Sequence, residues 1–255
     1  MIAAKADSFR SRLSAGALFG TFSKTEDPAM VEAMGYAGMD FIVLDLEHGP
    51  NSIRSLQNLL RAAELSGTTP IVRVRAGEPG LIGEVLDVGA AGVQVPHIRS
   101  AEDVRTALRH ARFSPLGERG VCRFVRAARY SAVERSEYFE DSNRALVVLQ
   151  VEGKEGIERL PEIAGEPGVD VLFLGPYDLS QSVGVPGQVE HPTVTAAMEQ
   201  AVRLCRERGV TVGTFVDTLG QARLWMAKGV RYIAYGVDAG ILQDACRGLL
   251  AELRG

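Results

Sequence analysis

Two carboxylates, Glu152 and Asp178, stand where long apolar runs end. The first run extends from Ala145 through Val151 and stops at Glu152; the second extends from Val169 to Leu174 and stops at Gly175-Pro176-Tyr177-Asp178. Runs of this kind read as buried parallel strands, and in α/β folds reactive groups collect beyond the strands' carboxyl ends. Two carboxylates converging there repel each other unless a cation lies between them. Hard oxygen donors suit Mg²⁺ or Mn²⁺, with the remaining positions open to water or a chelating substrate. Two other readings stand beside this one. Each residue alone is a solvated loop acid, and the pair without metal is a general acid and base of the glycosidase kind, although nothing else in the chain points to a sugar site.

Further polar residues recur at the same level. A run ends in Asp45-Leu46-Glu47-His48, which offers a histidine with flanking carboxylates as a general base near neutral pH, or a satisfied loop histidine. Arg73 and Arg75 lie two apart, so strand alternation places both on one face and does not choose between them. Gln150 either binds a substrate or satisfies a neighbouring backbone group. His97, after Pro96, is a candidate supporting residue. Lys24 and Lys154 lie near strand ends, but neither sits in an apolar strand where lost hydration would lower its pKa, so Schiff-base chemistry is disfavoured.

The elements that must position these groups alternate along the chain. Strands are predicted at 17–21, 41–45, 70–74, 92–96, 145–151, 169–174, 211–216 and 232–236. Between them lie amphipathic segments, one capped by Asn51 with apolar residues at Ile53, Leu56, Leu59, Leu60 and Ala63 and a stop at Gly67. Ser100 with Asp103, and Thr218 with Gln221, approximate capping boxes before two others. Eight such units in 255 residues predict one domain of α/β class, a (β/α)8 TIM barrel, with an open doubly wound sheet as the alternative. Neither a GxGxxG nor a Walker-type loop occurs. The stretch 113–144 is the one long irregular connection, and its six arginines either bind substrate carboxylates, pair with a neighbouring subunit or are solvated.

Composition narrows the function classes. A net charge of −4 supplies no attraction to nucleic acid or an anionic membrane, and no apolar run approaches the roughly 18–20 residues of a membrane span. The first residues lack the apolar core of a signal peptide, and Cys122, Cys205 and Cys246 are few and widely spaced. A cytoplasmic protein with buried, unreactive cysteines is the expectation.

The strings Leu44-Asp-Leu-Glu-His-Gly-Pro50, Pro70-Ile-Val-Arg73, Leu86-Asp-Val-Gly-Ala-Ala-Gly92, Arg119-Gly-Val121 and Arg126-Ala-Ala-Arg-Tyr130 occur in order. Leu149-Gln-Val-Glu152, Leu174-Gly-Pro-Tyr-Asp-Leu-Ser180 and Gly236-Val-Asp238 follow. Together they resemble the class II pyruvate aldolases, the family of 4-hydroxy-2-oxoheptanedioate aldolase and 2-dehydro-3-deoxyglucarate aldolase. The resemblance implies a metal-dependent (β/α)8 lyase that splits a 4-hydroxy-2-oxo acid into pyruvate and an aldehyde. It implies Glu152 and Asp178 as ligands of Mg²⁺, Mn²⁺ or Co²⁺, and Arg73, rather than Arg75, as the group that stabilises an enolate. It further implies His48 as the residue that moves the proton of the C4 hydroxyl, Asp45 and Asp87 as carboxylates that orient that histidine, and Gln150 as a substrate-binding amide. The backbone around Gly175 and Tyr177 would cradle the pyruvate carboxylate. Without the resemblance, Asp87 reads as a surface acid at a helix end.

The same resemblance implies a homo-oligomer, a hexamer or trimer, with a C-terminal helix over about 239–253 exchanged between subunits. Its partners are small-molecule 2-oxo acids and aldehydes. The chemistry is coherent, because a divalent cation and Arg73 provide an electron sink without a lysine. Two alternatives remain: a citrate-lyase-like or malyl-CoA-lyase-like cleavage, and a catalytically silent ligand-binding barrel. Tyr177 and His97 depart from the family pattern, replacing a small and an apolar residue respectively, which leaves the acceptor aldehyde open.

Overall fold

The computed structural model describes residues 2–255. Eight parallel strands, β1 (Leu18–Ser23), β2 (Phe41–Asp45), β3 (Thr69–Arg73), β4 (Gly92–Val95), β5 (Leu146–Val151), β6 (Val171–Leu174), β7 (Val212–Val216) and β8 (Tyr232–Val237), pair in sequence order and close on themselves. Helices alternate with them, a (β/α)8 arrangement. Each predicted strand is present, with its ends displaced by no more than two residues.

Alternation along each strand builds two cores. In β5, Val147, Leu149 and Val151 face outward and join the layer between barrel and helices, while Leu146 and Val148 face the barrel interior. The interior is filled by Phe22, Phe41, Ile71, Phe173 and Tyr232, with Phe41 stacked on Tyr232 at 3.9 Å between ring centroids. A helix over Ile2–Ala15, absent from the sequence-based expectation, closes the amino-terminal end of the barrel. Its Phe9 meets Phe41 edge-on at 6.0 Å. The lower interior is therefore largely apolar and sealed, and the charged inward residues lie at the opposite end.

Helix ends follow the local chemistry, with one correction. Ser52, not Asn51, caps the helix Ile53–Ser66: its side chain accepts from the Ser55 amide, and Ser55 reaches back to the Ser52 amide. Asn51 is buried and its amide nitrogen donates instead to the Asp45 carbonyl. Gly67 ends the helix in the left-handed region at φ 78°, which glycine adopts without cost. Ser100 and Thr218 cap their helices as the spacing predicts. β3 ends at Arg73, so Arg75 lies in the following loop and pairs with Glu78 rather than sharing a face with Arg73.

The connection 113–144 holds a short 3₁₀ turn at Arg126–Ser131 and a helix at Arg135–Ser142. It joins a helix's carboxyl end to the start of β5, so it lies at the amino-terminal end of the barrel. Binding of substrate by its arginines at the other end of the same chain is thereby overturned. Of the three cysteines only Cys205 is buried; Cys122 and Cys246 are exposed, against expectation. Among the described residues no helix is long and apolar enough to cross a membrane.

Candidate active site

Register and alternation bring the polar residues to one level. Asp45 pairs with Arg73 across β2 and β3, and Arg73 with Gln94 across β3 and β4. Asp45 continues the inward series of Phe41 and Val43, Arg73 that of Ile71, and Gln150 and Glu152 that of Leu146 and Val148. Above the apolar interior Arg73 and Gln150, with Lys24, His48, Tyr177, Asp178 and Asp217, line an open cavity of about 410 Å³ at the strands' carboxyl ends, while Asp45 and Glu152 are buried against Arg73 and Gln150 respectively.

Arg73 is the most constrained of them. Its Nε and one terminal nitrogen donate to the two oxygens of Asp45 at 2.9 and 2.6 Å, and the other terminal nitrogen lies 3.1 Å from Glu47 Oε2. The guanidinium also stacks over Phe22 at 4.7 Å. Burial alone would raise the Asp45 carboxyl, but Arg73 and the amides of Glu47 and His48 outweigh it and hold it below the usual carboxylate range. Glu47 moves the other way: burial raises it against the opposing pull of Arg73, His48 and His97.

The histidines gather on Glu47. His48 is exposed, with its Nε2 3.9 Å from Glu47 Oε2, and His97 Nε2 lies 3.6 Å from Glu47 Oε1. Asp45 thus meets the backbone of His48 and the side chain of Arg73; the imidazole faces Glu47. Asp87 is not brought to this site within the chain. It ends the helix Gly80–Asp87, which runs back from the carboxyl end of β3, so it lies at the amino-terminal end and pairs with the buried Arg119 at 2.5 Å. Within the chain that antiparallel return keeps it away from His48, which the sequence expectation had it orient.

Glu152 is 2 % exposed and doubly held. Its Oε1 accepts from the His97 amide at 2.8 Å, and its Oε2 from the amide of Gln150. Gln150 in turn accepts from Gln94 Nε2 at 2.6 Å, so a buried relay of amides fixes the carboxylate from below. Burial, joined by the like charge of Asp178, pushes the Glu152 carboxyl up to about 7 even against these donors. Gly175 is required here, because a Cβ would fall 2.8 Å from Glu152 Oε2. Asp178 is half-buried in the first turn of the helix Pro176–Ser182. His97 holds φ at +56°, an unusual conformation for a residue with a side chain, and its Nδ1 is 3.1 Å from Glu152 Oε1.

Glu47 as a hub, Gln94 as the base of the amide relay and Asp217 at the rim were not singled out from the sequence. Gln94 was accessible to the same alternation that places Gln150. Asp238 also gains a role: buried, it accepts from Ser23 Oγ, the Lys24 and Thr25 amides and Thr25 Oγ1, tying the end of β1 to β8.

A closed parallel barrel with a carboxylate, arginine and histidine cluster at its carboxyl ends has the architecture of a barrel enzyme. Residues 18–245 match the family described as HpcH/HpaI aldolase/citrate lyase. The chain belongs to that family, whose activity is the cleavage or formation of carbon–carbon bonds. It is 36% identical over 250 residues to the hydroxypyruvate/pyruvate aldolase of Pseudomonas aeruginosa, covering 97% of this chain and 92% of that one. Identity to the 2-dehydro-3,6-dideoxy-6-sulfogluconate aldolase of Pseudomonas putida is 35% over 237 residues, 92% of each chain. The crystal structure of a family protein from Burkholderia cenocepacia J2315 superposes with a TM-score of 0.92 at 36% identity, covering 97% of this chain and 99% of that one.

The Asp45–Arg73 pair yields a stability prediction. Asp45→Asn leaves a buried guanidinium facing an amide, and unfolding in urea at pH 7 is expected to reveal a loss of about 3 kcal/mol. The depressed Asp45 carboxyl contributes stability that is complete above its unfolded value of about 4 and is lost as pH falls through its lower folded value. The gap between wild type and variant therefore narrows below about pH 4. A gap under about 1 kcal/mol at pH 7 contradicts the account.

Proposed function

We propose that this chain is a divalent-metal-dependent aldolase, one (β/α)8 domain that reversibly cleaves a 4-hydroxy-2-oxo acid into pyruvate and an aldehyde. The observation that carries the proposal is one cavity lined by Arg73, His48, Gln150 and Asp178, with the buried Glu152 carboxylate bonded to Gln150. Family membership and aldolase relatives support the same reaction.

Glu152 and Asp178 would hold the cation. The residues fit one: Glu152 is a buried carboxylate whose charge is opposed by burial and by a second carboxylate, a cost that a divalent ion offsets. Gly175 leaves open the space beside Glu152 Oε2. When bound, Mg²⁺, Mn²⁺ or Co²⁺ supplies Lewis-acid stabilisation of the negative charge that develops on the 2-oxo group.

The chain's own groups perform the rest. Arg73 keeps its charge because two carboxylates surround it, and its remaining N–H groups are available to donate to the developing enolate oxygen. His48 accepts the proton of the C4 hydroxyl, and Glu47 stabilises the imidazolium that results. Gln150 lines the cavity and holds Glu152 in place, while the backbone at Gly175 and Tyr177, at the start of a helix, receives the substrate carboxylate. Asp45 acts through Arg73. Asp87 has no part in this reading of a single chain.

Cleavage of a 4-hydroxy-2-oxo acid, followed by pyruvate release, tests the proposal. Activity is expected to vanish on removal of divalent metal and to fall at least about 100-fold in Glu152→Ala and Asp178→Ala. Undiminished turnover in metal-free protein would sink it.

The C-terminal helix Asp238–Arg254 supports a homo-oligomer, hexamer or trimer. Its main packing within the chain is against β1 and β8, and it exposes Leu242, Leu249, Leu250 and Leu253, a face suited to exchange with a neighbouring subunit. Light scattering is expected to find an oligomer for wild type and smaller species for Leu249→Glu combined with Leu253→Glu. A monomeric wild type contradicts this.

A further inference from the structure

The cavity extends past the proposed reaction centre toward β7 and β8, where Phe215 and Val237 provide an apolar wall. One contact closes this sector: the Tyr177 hydroxyl donates to Asp217 Oδ2 at 2.9 Å, and the Tyr177 ring packs edge-on against Phe215 at 5.8 Å. Burial and the bond to Asp217 push the Tyr177 phenol up to about 12, so it remains a donor at any working pH. Asp217 is anchored from behind, its amide donating to Gln221 Oε1 at 2.8 Å and Gln221 Nε2 donating to Glu190 at 3.0 Å.

The charges around the cavity are unequally matched. Arg73 is held by Asp45 and Glu47. The Lys24 ammonium, across the mouth at the end of β1, lies 3.8 Å from Asp45 Oδ2. His48 faces Glu47. Asp217 meets a neutral phenol and a backbone-anchoring glutamine, and among the described residues no cation pairs with it.

We propose that the Tyr177–Asp217 pair selects the acceptor: the site takes an uncharged polar aldehyde and discriminates against one that carries its own carboxylate. The inference rests on the aldolase reading of the same cavity and adds the substrate class. A second carboxylate beside Asp217, in a sector walled by aromatic and aliphatic side chains, is opposed by like charge and lost hydration. A neutral group with N–H or O–H donors instead satisfies the lone pairs that Tyr177 leaves free on Asp217. The tyrosine fixes where that carboxylate points; its ring limits the width of the entrance.

The test is aldol addition of pyruvate to succinic semialdehyde and to its uncharged amide, 4-oxobutanamide, two acceptors of nearly equal size. Wild type is expected to favour the amide by about ten-fold in kcat/KM. Asp217→Asn is expected to bring the ratio close to one, chiefly by lowering KM for the semialdehyde. Tyr177→Phe, which keeps the carboxylate but frees its direction, is expected to weaken the preference without abolishing it. A wild-type ratio near one, or an unchanged ratio in Asp217→Asn, overturns the proposal. Exchange of pyruvate methyl protons with deuterated solvent by wild type, with no aldehyde present, separates the two levels. Exchange with an unaltered ratio removes only the selection proposal; no exchange removes the aldolase reading beneath it.

Discussion

Closure of the barrel is the constraint on which everything else depends. Once eight strands pair in a ring, every second side chain must share one enclosed column, and the column admits polar groups only where solvent or ligand can reach them. Phe41, Tyr232 and Phe173 fill its lower part, and Phe9 from the first helix seals the base. Asp45, Arg73, Gln150 and Glu152 are the next inward positions on the same strands. The packing that excludes water below therefore also sets the height and direction of the reactive groups above.

Within that level, charge is arranged in two unequal halves. On the β2–β3 side, Arg73 is held by Asp45 and Glu47, a bidentate and a single contact that fix its plane and leave two N–H groups free. On the β5–β6 side, Glu152 has amide donors from Gln150 and His97 but faces the negative charge of Asp178. The first half carries a fixed positive charge; the second lacks one. A divalent cation beside Glu152 would place two positive centres across the same cavity, which is what an enolate requires of its surroundings.

Much of this was legible in the sequence because the governing periodicity is local. Apolar runs ending at Asp45, Arg73, Gln150–Glu152 and Gly175–Asp178 marked the strand ends, and the order of motifs carried the family. What escaped depended on direction and distance. Asp87 follows a strand in sequence, yet the returning helix carries it to the far end of the barrel, where Arg119 holds it. The arginine-rich stretch 113–144 is displaced by the same rule. Asn51 and Ser52 are equally good caps by type, and only the geometry gives the role to Ser52. Glu47 reads as a flanking acid until the strands bring Arg73, His48 and His97 around it. The first helix, Ile2–Ala15, has buried residues at Ile2, Ala6, Phe9 and Leu13, too few to stand out before a partner surface is known.

A shared cation site at Glu152 and Asp178 is open to direct measurement. Titration of the protein with Mn²⁺, followed by electron paramagnetic resonance of the free ion, measures this without turnover. One site per chain is expected in wild type, lost in Glu152→Ala and in Asp178→Ala while the circular dichroism spectrum is retained. Equal Mn²⁺ binding by folded wild type and both variants would contradict it.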